Sequence, residues 1–171
     1  YNFMSVMNLN TDEMMEGPFI KDTLFGTWEN PQQGICPSGW HVPTVSEWMT
    51  LGKAVGAECE DENQTSFPDC SGGIVKLRST CGWEYDSDGN EDIATNESGF
   101  ALLPVSNTDG PELFPNGRRA YVWTSTAKYC NYCANNQALA YHIFATTGKD
   151  WFRVDEGILL VRGRSLRCVK D

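Results

Sequence analysis

The chain is 171 residues long and carries 13 basic against 23 acidic residues, a formal net charge of −10. A chain of that length buries roughly 70 % of its unfolded surface around one core, and eight Phe, six Trp and six Tyr supply large core and contact surfaces. The acidic balance argues against a nucleic-acid partner, whose phosphates need a basic face, and no apolar run approaches the length that spans a bilayer.

No linker or internal repeat divides the chain, so residues 1–171 read as a single domain. Residues 1–35 are short apolar pieces broken by Gly17-Pro18, Asn30-Pro31 and Gly34, a pattern of strands and loops. After Pro43, Thr44-Val45-Ser46-Glu47 has the Ser/Thr-x-x-Glu form of a capping box. Val45, Trp48, Met49 and Leu51 to Val55 follow at helical spacing and Gly56 offers a stop, which predicts a helix over Val45–Val55 with its apolar face in the core. A second, shorter helix is expected over Ile74–Ser79. The acidic stretch from Cys59 to Cys70 between them reads as a surface loop closed by its own disulfide. After Gly99 the pattern turns to β: Phe100–Leu103, Tyr121–Trp123, Ala140–Phe144, Trp151–Val154 and Ile158–Val161 are short aromatic or β-branched runs, parted by turn residues such as Asn116-Gly117, Gly148 and Gly157. Helices early and strands late predict an α+β domain.

Seven cysteines, Cys36, Cys59, Cys70, Cys81, Cys130, Cys133 and Cys168, are scattered through the chain. In a sequence this rich in Gly, Asn, Asp and Trp they read as a disulfide framework from an oxidising compartment. A zinc site would offer two short Cys or His pairs. Only Cys130 and Cys133 form one, and neither His41 nor His142 stands at ligand spacing. A local Cys130–Cys133 link is expected beside Cys59–Cys70, with Cys81 as the odd thiol.

Two stretches carry candidate chemistry. In DSDGNEDIATNE, Asp86, Asp88, Asn90 and the carbonyl of Asp92 fall at positions one, three, five and seven of a twelve-residue loop, with Glu97 at position twelve. That spacing suits a calcium ion with six or seven oxygens, although Glu91 stands where a calcium loop of this kind wants glycine. The competing reading is a solvated acidic turn. In KYCNYCANNQ, Tyr129 and Tyr132 with Asn131, Asn135 and Asn136 offer stacking rings and adaptable amides for a glycan. Trp151 and Arg153, on a later β segment, are placed to reach the same side. A polar loop held by the local cysteine link is the competing reading there. No nucleophile elbow, P-loop or dinucleotide fingerprint is present, so catalysis is not expected.

Four blocks carry a family resemblance: GICPSGWHVPT (34–44), SGFALLP (98–104), VWTST (122–126) and GRSLRCVKD (163–171). In order and spacing they resemble the Fibrobacter succinogenes major paralogous domain of secreted bacterial proteins. The resemblance implies a C-type-lectin-like fold, similar also to formylglycine-generating enzymes, and an extracellular or cell-surface location. It implies a Cys36–Cys168 bridge joining the ends of the domain, and it marks His41 as scaffold. YNFMSVMN (1–8) resembles the middle of the family's opening portion, which implies a further segment upstream of Tyr1. Calcium-dependent lectins use Glu-Pro-Asn and Trp-Asn-Asp motifs, whereas this chain has Phe114-Pro115-Asn116 and no Trp-Asn-Asp. The copper-holding cysteine pair of the catalytic relatives has a spacing that Cys130 and Cys133 do not share. The expected function is a secreted or surface-exposed adhesion or binding module, with glycan the favoured ligand and the contact surface on late loops between Trp123 and Val154. The alternatives are a structural subunit of a surface appendage, whose partner is another protein, and a scaffold for diversified ligand-binding loops.

Overall fold

The computed structural model describes residues 1–9, 31–60, 68–85, 88–89, 92–105, 107–109, 112–114, 117–129, 138–157 and 162–171. A short helix α1 (Phe3–Met7) opens the chain. Asn2 caps it by accepting from the Ser5 N–H at 2.8 Å, and Asn8, at φ 56°, ends it. Strands and loops were the expectation for residues 1–35. A five-residue helix is too short to impose a period on the sequence, and its definition comes from its two asparagine ends and its burial of Phe3, Val6 and Met7. Helix α2 (Val45–Ala54) follows the predicted bounds to within one residue. Its reciprocal cap is complete: the Glu47 N–H donates to Thr44 Oγ1 at 3.2 Å, and the Thr44 N–H donates to Glu47 Oε2 at 2.8 Å. The second predicted helix is a single 3-10 turn, Ile74–Lys76. It stops short because Arg78 bridges to Leu102 and the Ser79 N–H donates to the Leu102 carbonyl at 2.9 Å.

Strands β1 (Trp40–His41), β2 (Glu58–Cys59), β3 (Asp69–Ser71), β4 (Asn107–Asp109), β5 (Glu112–Phe114), β6 (Arg119–Tyr129), β7 (Ala138–Thr146), β8 (Trp151–Gly157) and β9 (Val169–Lys170) complete the described elements. Five form one antiparallel sheet in the order β2-β3-β8-β7-β6. The mixed, sheet-dominated architecture agrees with the α+β expectation, and three of the predicted runs lie within β6, β7 and β8. Phe100–Leu103 is not a strand: Ala101 adopts φ 53° and only Leu102 bridges. Ile158–Val161 lies outside the described residues.

Alternation along the strands sets the core. Ala120, Val122, Ile143, Ala145, Phe152 and Val154 pack against Val45, Trp48 and Met49 of α2, with Ile74, Leu77 and Leu102. A second cluster joins α1 (Phe3, Val6, Met7) to Val42, Trp123 and Ala140. Among the described residues, two disulfides brace the fold. Cys59 and Cys70 face each other across β2 and β3, with Cα atoms 4.0 Å apart. Cys36 and Cys168 are bridged with a Cα separation of 5.9 Å, 132 residues apart in the chain. Cys81 is an exposed free thiol, while Cys130 and Cys133 lie outside the described residues.

The ends of the chain meet. β1 pairs with β9, and the Tyr1 backbone nitrogen donates to the Arg164 carbonyl at 3.0 Å. The Trp123 indole N–H donates to the Tyr1 carbonyl at 3.0 Å. His41 lies between Asp171 and Glu47, its ring nitrogens 2.6 Å and 2.7 Å from their carboxylates. It is a buried scaffold histidine, which ties the last residue of the chain to the first turn of α2.

Candidate functional site

The side of the sheet away from α2 carries aromatic rings in a row. In β6, Ala120 and Val122 point into the α2 core, so Tyr121 and Trp123 point the other way. In β7 the alternate positions are His142 and Phe144, and in β8 they are Trp151 and Arg153. Register then brings these side chains together: Tyr121 stands opposite Phe144, and Phe144 opposite Arg153. Tyr121 and Phe144 stack with centroids 5.1 Å apart and planes at 28°, and Phe144 meets Trp151 edge-on at 5.7 Å. Toward α1 the row continues through His142 to Trp123 and Phe3, where it is buried. Tyr121, Phe144 and Trp151 are only half-buried.

Guanidinium groups lie over these rings. Arg119 is 5.8 Å from the Phe144 centroid, Arg153 is 5.4 Å from that of Trp151, and Arg164 is 4.8 Å from that of Tyr121. Arg153 is also forked onto Asp69, with Nε donating to Oδ1 at 2.9 Å and Nη2 donating to Oδ2 at 3.0 Å. The carboxylate hydrogen bond and charge hold this guanidinium protonated even more firmly than usual. Arg153 is therefore held over Trp151 by its pairing with Asp69 on the neighbouring strand β3. His142 is the opposite case: burial, reinforced by Arg164 and Arg162, lowers its pKa well below 6.5 and keeps the ring neutral. The row thus offers stacking faces, one phenol and fixed cations.

Of the residues expected to bind ligand, Trp151 and Arg153 belong to this row. Tyr129 is the last residue of β6, paired with Ala138. Asn131, Tyr132, Asn135 and Asn136 lie outside the described residues. Tyr121 and Phe144 went unassigned in the sequence because runs of strand-forming residues do not announce which face is covered; their alternation with Ala120, Val122, Ile143 and Ala145 was the available signal. For the calcium loop, Asp86 and Asn90 lie outside the described residues. Asp88 and Glu97 are exposed, and the Asp92 carboxylate is engaged by buried Arg78 at 3.1 Å and by the Gly148 N–H at 3.3 Å. Among the described residues, no three His, Cys, Asp or Glu side chains gather as metal ligands. No helix among them is long and apolar enough to cross a membrane.

The sequence model of the Fibrobacter succinogenes major domain matches residues 1–170. No curated protein matches the chain, and neither does any solved structure.

Proposed function

The chain belongs to the Fibrobacter succinogenes major domain family, and we propose that it is a secreted or surface-exposed binding module that takes glycan on the outer face of its five-stranded sheet. The observation that carries this reading is the half-buried row Tyr121, Phe144 and Trp151, held in place by Arg119 and the Arg153–Asp69 pair. Fixed aromatic faces lose little side-chain entropy on stacking against a sugar ring, and a neighbouring cation or phenol bonds its hydroxyls. The two disulfides support an oxidising, extracellular setting. The joined chain ends support a C-type-lectin-like arrangement of the domain. Calcium in the Asp86–Glu97 loop is part of this reading, and excess chelator is then expected to lower the melting temperature.

A glycan array with the full chain, followed by titration of the best hit, tests the proposal. Trp151→Ala and Phe144→Ala are expected to weaken that hit about three- to tenfold each, the scale of one aromatic contact, with the fold retained by circular dichroism. Binding unchanged in both variants, or turnover of a defined substrate abolished by changing one His or carboxylate, would overturn it. Silence on the array together with self-assembly in solution would favour the appendage subunit instead.

A further inference from the structure

On the α2 side of the molecule, apart from the aromatic row, the helix and the C-terminal segment border an open cavity of about 640 Å³. Its apolar wall is made by Trp40, Pro43, Trp48, Leu51, Ala54 and Phe100. That volume falls within the range of small-molecule sites, which are mostly apolar with a few placed polar groups. Three charged side chains also line it: Glu47, Arg167 and Lys170. The Glu47 charge is already engaged, by His41 at 2.7 Å and by the Thr44 N–H at 2.8 Å. Arg167 is exposed, its guanidinium carbon 4.1 Å from the Phe100 ring centroid, and among the described residues it has no carboxylate partner. Lys170, also exposed, has none either. In a chain of net charge −10, an apolar cavity edged by two cations with no carboxylate at ion-pair distance among the described residues is complementary to one kind of small molecule.

We propose that this cavity binds a small apolar carboxylate, its hydrocarbon or aromatic body against Trp40, Leu51 and Phe100 and its carboxylate toward Arg167, with Lys170 adding to the local field. Stacking on Phe100 holds the Arg167 fork in place before any ligand arrives, which reduces the ordering needed for a carboxylate to engage it. A neutral analogue gains the apolar burial alone, and a cationic one meets Arg167 and Lys170 as like charges. A sugar face, dense in hydroxyls, leaves them unpaired against this wall. The site therefore differs in ligand class from the outer sheet face and does not depend on the reading of that face.

Calorimetric titration of the full chain with octanoate, octanol and octylamine tests it. Octanoate is expected to bind about fivefold more tightly than octanol at low salt, the scale of a partly exposed ion pair, with octylamine weakest. The preference for octanoate should shrink as salt is added. Arg167→Gln should remove most of the preference for octanoate, leaving only the weaker share of Lys170, and leave octanol unchanged. Ala54→Trp places an indole in the cavity from an exposed helix position and should remove binding of both, while Arg119→Gln on the sheet face changes neither. Equal affinity for octanoate and octanol, an Arg167→Gln variant that keeps the preference, or binding that survives Ala54→Trp overturns the proposal. Recognition of a peptide C-terminus without any affinity for octanoate overturns it too, in favour of a protein partner.

Discussion

His41 and His142 are both buried, yet their surroundings drive them in opposite directions. At His41 burial disfavours the charged ring, but hydrogen bonds and charge from Asp171 and Glu47 outweigh it, so the pKa is raised above 6.5. The stability this contributes is fully present below pH 6.5 and is lost as pH rises through the raised folded value. At His142 burial dominates, with Arg164 and Arg162 adding to it, and the pKa is lowered. Its contribution is present above pH 6.5 and is lost as pH falls below that value, because only the unfolded state accepts the proton readily. Urea unfolding across pH should therefore show the gap between wild type and His41→Gln widening toward acid, and the gap for His142→Gln narrowing there; two flat gaps would refute both assignments. The tryptophans divide in a similar way. Trp48 is 3 % exposed and Trp40 is 40 % exposed. Trp48→Ala is expected to cost about 3–5 kcal/mol. Trp40→Ala is expected to cost much less, because Trp40 is exposed. Its neighbours Cys36 and His41 are buried, but the alternation of a two-residue strand turns Trp40 outward.

At the level of elements, what could be read from the sequence was what local chemistry specifies. Helix α2 was legible because its cap, its apolar spacing and its stop lie within a dozen residues of one another. α1 was not, since one short helix between two asparagines leaves no periodic trace, and the break at Ala101 depends on the partner that Leu102 finds at Arg78. Gly52 shows how a tertiary contact overrides propensity. Alanine in a helix interior is favoured over glycine by about 1 kcal/mol, so Gly52→Ala should stabilise α2 on local grounds. A Cβ at this position, however, would lie 2.8 Å from Cys70 Sγ and 3.0 Å from Cys59 Sγ, because the helix packs directly on that disulfide. Overpacking of a rigid neighbour costs about 1–3 kcal/mol, which exceeds the helical gain. The variant is accordingly expected to unfold at lower urea concentration than wild type, and a stabilised Gly52→Ala would mean that α2 does not rest on the disulfide. The outer aromatic row is an element-level property of the same kind. No single run in the sequence contains it, because it is assembled by the register of three strands.

For the whole molecule, the decisive feature is that one side is closed by joining the chain's ends. Among the described residues, two bridges restrict the unfolded chain, one across 132 residues and one across 11. In the chain-entropy model the longer loop alone contributes about 5 kcal/mol, roughly 2 kcal/mol more than the shorter. Beside Cys168 the non-covalent ties are short: β1 and β9 pair over two residues each, and the His41–Asp171 contact lies partly at the surface; the larger tie is the α1 cluster that packs on Cys36. The large sheet, by contrast, is held by the long ladders of β6, β7 and β8 and by the α2 core. Replacing Cys36 and Cys168 together by serine should therefore do two things. Global stability in urea should fall by about 4–5 kcal/mol, and the end region should loosen before the sheet does. Native-state hydrogen exchange distinguishes these effects, since local opening and global unfolding are read at different amides. The backbone N–H of Asp171, which donates to the Gly39 carbonyl at 3.1 Å, and that of Ile35, which donates to Val6 at 2.8 Å, should lose protection more than the amides of β7. The cavity wall contributed by Trp40 and Val169 would loosen with them, so octanoate should be lost from the double variant while the sheet face keeps its ligand. Equal loss of protection at Asp171 and at Ile143 would show instead that the ends and the sheet unfold as one unit, with the bridge acting only on the unfolded chain.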